Sequence, residues 1–150
     1  MSVASIMARE LVIATMDTNL EEAGALFARH SFRQLPVVDD LHCLVGLFSF
    51  ADYLAQLSPF LNTPAERGMD RELLRRPVHQ FMHRYVPLLG PEQPLREAAR
   101  ALLDSDFGCL PVVGEEMRLL GMLSWRDLMR YGLEGAKAGA TERRPAAKAG

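Results

Sequence analysis

Apolar and polar positions alternate along this chain in two different periods, and the changes of period mark its elements. Leu11 to Ala14 is a short apolar run of the kind that opens a sheet. Thr18 and Glu21 then stand in the spacing of a helix capping box. Leu20, Ala23, Gly24 and Phe27 follow at i, i+3, i+4 and i+7, one stripe of an amphipathic helix reaching about His30. Two β-rich runs come next, Gln34 to Val38 and Cys43 to Phe48, with a polar hairpin around Asp39, Asp40 and His42 between them. A helix from Ser49 to about Leu57 completes the set. Beyond it a stretch bearing Pro59, Pro64, Gly68 and Pro77 reads as a linker, with a short charged helix at Asp70 to Arg76.

The same succession returns 75 residues later, without gaps. LPVV stands at Leu35 to Val38 and again at Leu110 to Val113. In that register Met7 meets Met82, Leu20 meets Leu95, Ala23 meets Ala98, Phe32 meets Phe107, Gly46 meets Gly121, Ser49 meets Ser124 and Asp52 meets Asp127. Fourteen of the forty-eight positions from Met7 to Leu54 are identical, which marks an internal duplication. Copy two carries its helical stripe on Leu95, Ala98, Ala99, Leu102 and Leu103, with Pro94 in the first turn, where a missing N–H leaves no intrahelical bond unmade. Its strands are Cys109 to Val113 and Arg118 to Leu123, and its last helix runs from Ser124 to about Tyr131. Val37, Val38, Val112 and Val113 are read as core, and Pro36 and Pro111 as strand beginnings. Each copy is thus β-α-β-β-α, and a three-stranded sheet of that size cannot bury both faces alone. The expected fold is α+β, two such repeats packed sheet to sheet with pseudo-twofold symmetry: repeat 1 over 1–57, a linker over 58–77, repeat 2 over 78–133 and a tail over 134–150.

Composition narrows the functional classes. At 150 residues the chain supports a core without staples, and its two cysteines, Cys43 and Cys109, occupy non-equivalent places and read as free thiols. The start, MSVASIMARELV, has no basic leader, and no run approaches the ~20 apolar residues of a membrane span. A cytoplasmic protein without a membrane partner is expected. A net charge of −2 with no basic block argues against general nucleic-acid binding. Arg71, Arg75 and Arg76 read as a solvated face of the linker, and the tail, free of large apolar residues after Leu133, as disordered.

The order of an apolar run, an amphipathic helix, LPVV, a hairpin and then GLFSFADY (Gly46 to Tyr53) or GMLSWRDL (Gly121 to Leu128) resembles a tandem pair of CBS domains, the regulatory unit called a Bateman module. The likeness runs from Val3 to about Tyr131. It implies two clefts that often take adenosine-containing ligands, and pairing of two such modules into a disc-shaped homodimer.

Chemistry concentrates in the Ser-x-x-Asp elements. Ser followed by an acid three residues on is a helix cap in its own right. The same geometry suits a nucleotide, because free N–H groups at a helix start receive phosphate oxygens beside a Ser hydroxyl, while an Asp carboxylate accepts from both ribose hydroxyls. Gly46 and Gly121 are read as making room for a close ligand. A nucleotide's phosphate needs a cation. Copy two supplies Arg126, where copy one has Phe50 and Ala51, so the first cleft is empty, takes a less charged ligand or uses Arg33. Ile13 and Leu88 stand where members of the resembled family often have Thr, which makes both clefts drier. Ser124, Arg126 and Asp127 are accordingly the first candidates for binding an adenine nucleotide of the AMP or ATP type, and Ser49 and Asp52 the second. S-adenosylmethionine is a further adenosyl candidate.

The competing expectation is a protein-interaction module with vestigial clefts, whose dimer face would comprise Tyr53, Leu54, Leu57, Leu128 and Met129. His79 and His83 lie four apart, but two ligands do not define a metal site. No nucleophile elbow or activated cysteine appears, so neither catalytic residues nor a resident cofactor are expected. The regulated partner is not named by any motif.

Overall fold

The computed structural model describes residues 1–135 as a mixed α/β chain that divides into two compact units. One unit comprises Glu10–Val86 with Val113–Leu119, and the other Met1–Arg9, Pro87–Val112 and the residues from Leu120 onward. The units therefore cut across the sequence repeats.

In the unit that holds most of copy one, β1 (Ala14–Thr15) lies parallel to β2 (Gln34–Val38), which is antiparallel to β3 (Leu44–Ser49). The helix α1 spans Leu20–Arg29 and α2 spans Phe50–Gln56. The cap of α1 is displaced by one residue from the expected Thr18 and Glu21. Asn19 Oδ1 accepts from the Glu22 N–H at 2.8 Å and Glu22 accepts from the Asn19 N–H at 3.4 Å. Thr18 is already engaged, since its hydroxyl accepts the Thr15 N–H at 2.9 Å and closes the turn out of β1. Behind the sheet, Phe27 is buried within a ring cluster of Phe32, Phe48, Phe50 and Tyr53. Pro36 sits inside β2, paired with Leu47, rather than at its beginning. The ladder tolerates it because Leu47 exchanges both of its backbone bonds with His83, leaving nothing for Pro36 to satisfy on that side.

The linker forms α3 (Gly68–Glu72) and a 3-10 turn at Leu73–Arg75, slightly earlier than the expected helix. Asp70 accepts from Ser58 Oγ at 2.7 Å and from the Arg67 N–H at 2.7 Å, and these bonds hold its carboxyl below the ordinary range. Arg71 is exposed, as a solvated face requires, and pairs with Glu66 at 3.1 Å.

The other unit contains α4 (Leu95–Asp104), with Pro94 as its N-cap rather than in its first turn, followed by β4 (Cys109–Val113), β5 (Leu119–Ser124) and a helix α5 over 125–135. The three-stranded sheet expected in copy two is reduced to two strands and a single parallel bridge, Leu89 to Val112. Pro87, Gly90 and Pro91 flank Leu89, and two residues without N–H groups and one without a side chain do not extend a ladder. The final helix passes Tyr131 and includes Glu134 and Gly135; the rest of the expected tail lies outside the described residues.

The cores show how the units are assembled. Val3 is buried with Leu89, Leu95, Ala98, Leu102, Leu110, Val112 and Leu123, and Val78 with Ala14, Leu20, Ala23, Phe27, Leu35, Val37 and Phe48. Each set is the other shifted by 75, apart from its valine. The opening segment of each repeat thus fills the core of the other repeat's unit. Backbone pairing repeats the exchange: Ala8 bridges Met122, and His83 bridges Leu47.

Candidate functional site

Strand β3 ends in Ser49, which caps α2. Its Oγ accepts from the Asp52 N–H at 2.9 Å, and Asp52 Oδ2 accepts from the Ser49 N–H at 3.0 Å. The local cause is the switch from extended to helical backbone after a strand, where the first-turn N–H groups have no partners and a short polar side chain supplies one. Strand β5 ends the same way. Ser124 Oγ accepts from the Asp127 N–H at 3.3 Å and donates to Asp127 Oδ2 at 3.0 Å, while the Ser124 N–H donates to the same oxygen at 2.9 Å. Both expected caps are present, and both are half-buried.

The two elements differ in what surrounds them. In copy one, His83 Nε2 lies 3.0 Å from Asp52 Oδ2 and 3.2 Å from Oδ1, so one ring nitrogen spans both carboxylate oxygens. Copy two has Ala8 at the equivalent place, and Asp127 Oδ1 has no hydrogen-bond partner among the described residues. Gln34 pairs across the ladder with Ser49, and its side-chain oxygen is buried without a partner among the described residues. Cys109 takes that position in copy two. Burial, and then the nearby Asp127 carboxylate, push its thiol up to about 12.

The cations are also differently placed. Arg126 is exposed in the first turn of α5 and forms no hydrogen bond or ion pair among the described residues. Arg33, the alternative source for copy one, lies with its guanidinium 4.7 Å from the centre of the Phe50 ring, immediately after Ser49. It is a cation–π partner beside the cap.

The glycine expectation requires correction. A Cβ on Gly46 would fall 2.7 Å from the His83 carbonyl oxygen and 2.7 Å from Met82 Sδ, and one on Gly121 would fall 2.7 Å from the Ala8 carbonyl oxygen and 2.8 Å from Met7 Sδ. The space is taken by the opening segments rather than left for a ligand. Ile13 is half-buried and Leu88 is 41% exposed. Of the proposed dimer face, Tyr53, Leu57 and Leu128 pack against the cores, leaving Leu54 and Met129 exposed. His79 lies in a 3-10 turn, Val78–Gln80, and its former companion His83 is bound to Asp52. Among the described residues no group of three or more His, Cys, Asp or Glu side chains is placed to hold a metal ion, and no helix is long and apolar enough to cross a membrane.

Sequence reasoning missed the Asp52–His83 pair and the Gln34–Cys109 substitution. The second was legible, because the two residues stand 75 apart, each immediately before LPVV. The first was not, since 31 residues separate its partners.

Known proteins share this architecture. A family model for the CBS domain matches the chain twice, at residues 3–58 and 78–134. A CBS domain-containing protein of Dictyostelium discoideum is 31% identical over 128 residues, covering 85% of this chain and 88% of that protein. An uncharacterized protein of Methanocaldococcus jannaschii, MJ1225, is 29% identical over 124 residues, covering 82% of this chain; the chain spans 44% of that relative's length. Among solved structures, that of CBSX2 in complex with AMP matches with a TM-score of 0.75 at 27% identity, covering 89% of this chain and 96% of that one.

Proposed function

The chain belongs to the CBS domain family, and from that premise we propose that it is a regulatory module that binds an adenine nucleotide at the Ser124–Asp127 element and conveys occupancy to a partner protein. The observation that carries this reading is a half-open acceptor beside an exposed cation. Asp127 retains one carboxylate oxygen with no partner among the described residues, and Arg126 is exposed one residue away. A ribose diol donates to the first, and a phosphate group is neutralised by the second together with the N–H groups of the α5 first turn. The structural likeness to AMP-bound CBSX2, at 27% identity, supports AMP as the first ligand to test.

Signalling would follow from differential affinity. A ligand that favours one arrangement of the chain shifts its population, and a partner that discriminates between arrangements reads the shift. This reading needs no catalytic step.

Thermal unfolding against AMP, ATP and S-adenosylmethionine tests the proposal. At one hundred times its dissociation constant a ligand stabilises the folded chain by about 2.7 kcal/mol. AMP is expected to raise the midpoint, and Arg126→Ala to abolish most of the rise while leaving the ligand-free midpoint in place, because that side chain makes no hydrogen bond or ion pair among the described residues. Absence of a shift with every adenosyl ligand would overturn the reading and leave the interaction module as the alternative.

A further inference from the structure

Two Ser-x-x-Asp caps of the same geometry face different side chains from the opening segments, and that difference bears on which of them takes a ligand. His83 and Ala8 occupy equivalent positions, 75 residues apart. Each exchanges backbone hydrogen bonds with the middle of the adjoining strand, His83 with Leu47 and Ala8 with Met122. Each also sets its carbonyl oxygen 2.7 Å from the Cβ position of the neighbouring glycine. The frame is the same, so the side chain alone differs.

We infer that His83 withholds Asp52 from ligands and that Ala8 leaves Asp127 open, so that this one position makes copy two the ligand-binding copy. The inference rests on the adenine-nucleotide reading and specifies which element serves it. Asp52 Oδ2 already receives the Ser49 N–H at 3.0 Å, and His83 Nε2 reaches both oxygens, at 3.0 and 3.2 Å. A ribose diol would have to displace the imidazole or compete with it for the lone pairs of the Asp52 carboxylate. Asp127 concentrates its bonds on Oδ2, which serves both the N–H and the hydroxyl of Ser124, and thereby keeps Oδ1 available. The cations agree with the assignment, since Arg126 is unpaired among the described residues whereas Arg33 is stacked on Phe50.

The decisive variant transplants the latch. Ala8→His is expected to place an imidazole against Asp127 and weaken AMP binding by about tenfold or more, the equivalent of one hydrogen bond to a charged group. Ala8→Ser, too short to reach, should bind as the parent chain does. Titration calorimetry on the unmodified chain should show a single AMP per chain. Two equivalents, or an Ala8→His variant that folds and binds unchanged, would overturn the inference while leaving the nucleotide reading intact. A ligand-free arm keeps the two separable. In a cycle of His83→Ala, Asp52→Ala and the double variant, the losses in unfolding midpoint should be less than additive. Additive losses would refute the latch even if AMP binds; non-additive losses with no AMP binding would uphold it and refute the nucleotide reading.

Discussion

At the scale of single residues, the informative features are the mismatches inside an otherwise repeated frame. Gln34 and Cys109 hold one position, His83 and Ala8 another, and Phe50–Ala51 and Trp125–Arg126 a third. The serines and aspartates were legible as pairs because a cap is made within four residues and depends on no distant partner. Asp52–His83 was not, because its residues meet only through tertiary pairing. Cys109 has a consequence of its own. With its thiol raised to about 12 by burial and by Asp127, the folded chain retains a proton that the unfolded chain releases near an ordinary thiol value of about 8.5. This contribution to stability is complete below that pH and declines as pH rises from about 8.5 towards about 12. At pH 8 alkylation of Cys109, followed by peptide mass spectrometry, should be far slower in the native chain than in denaturant. Equal rates would show that the thiol is neither buried nor raised.

At the scale of elements, β2 and β4 begin and end where the apolar run and its polar flanks placed them, and the remaining boundaries moved by small steps with local causes. The α1 cap moved to Asn19 because Thr18 was already bound to Thr15. The third strand of copy two shrank because prolines flank it. The glycine that opens each of the stretches GLFSFADY and GMLSWRDL was read as space for a ligand, whereas it admits the carbonyl and methionine of an opening segment. Gly46→Ala and Gly121→Ala are therefore expected to be destabilising by about 1–3 kcal/mol each, as overpacking against backbone is. Urea unfolding measures this, and variants within a few tenths of the parent would show that the opening segments yield without loss.

At the scale of the whole molecule, the two sequence repeats and the two packed units are different divisions of the same chain. Met1–Arg9 belongs with Pro87–Val112, and Val78 and His83 with copy one. Deleting residues 1–9 removes buried Val3 and Met7 from the second unit and uncovers Met122 on β5. Each lost apolar side chain of this kind is worth about 1.5–3 kcal/mol. The truncated chain should lose hydrogen-exchange protection in β4 and β5 well before β2 and β3; a uniform loss would mean that the segment supports both units alike. The amino-acid sequence by itself determined the duplication, the strand and helix order, the caps and the family, because each of these is written in spacings of a few residues or in a repeat of letters. It did not determine which core each opening segment enters. Val3 and Val78 are the same residue in matching contexts, and a valine lowers its contact with water equally in either core. Only the tertiary structure decides that crossing, and with it which aspartate meets a histidine and which meets an alanine.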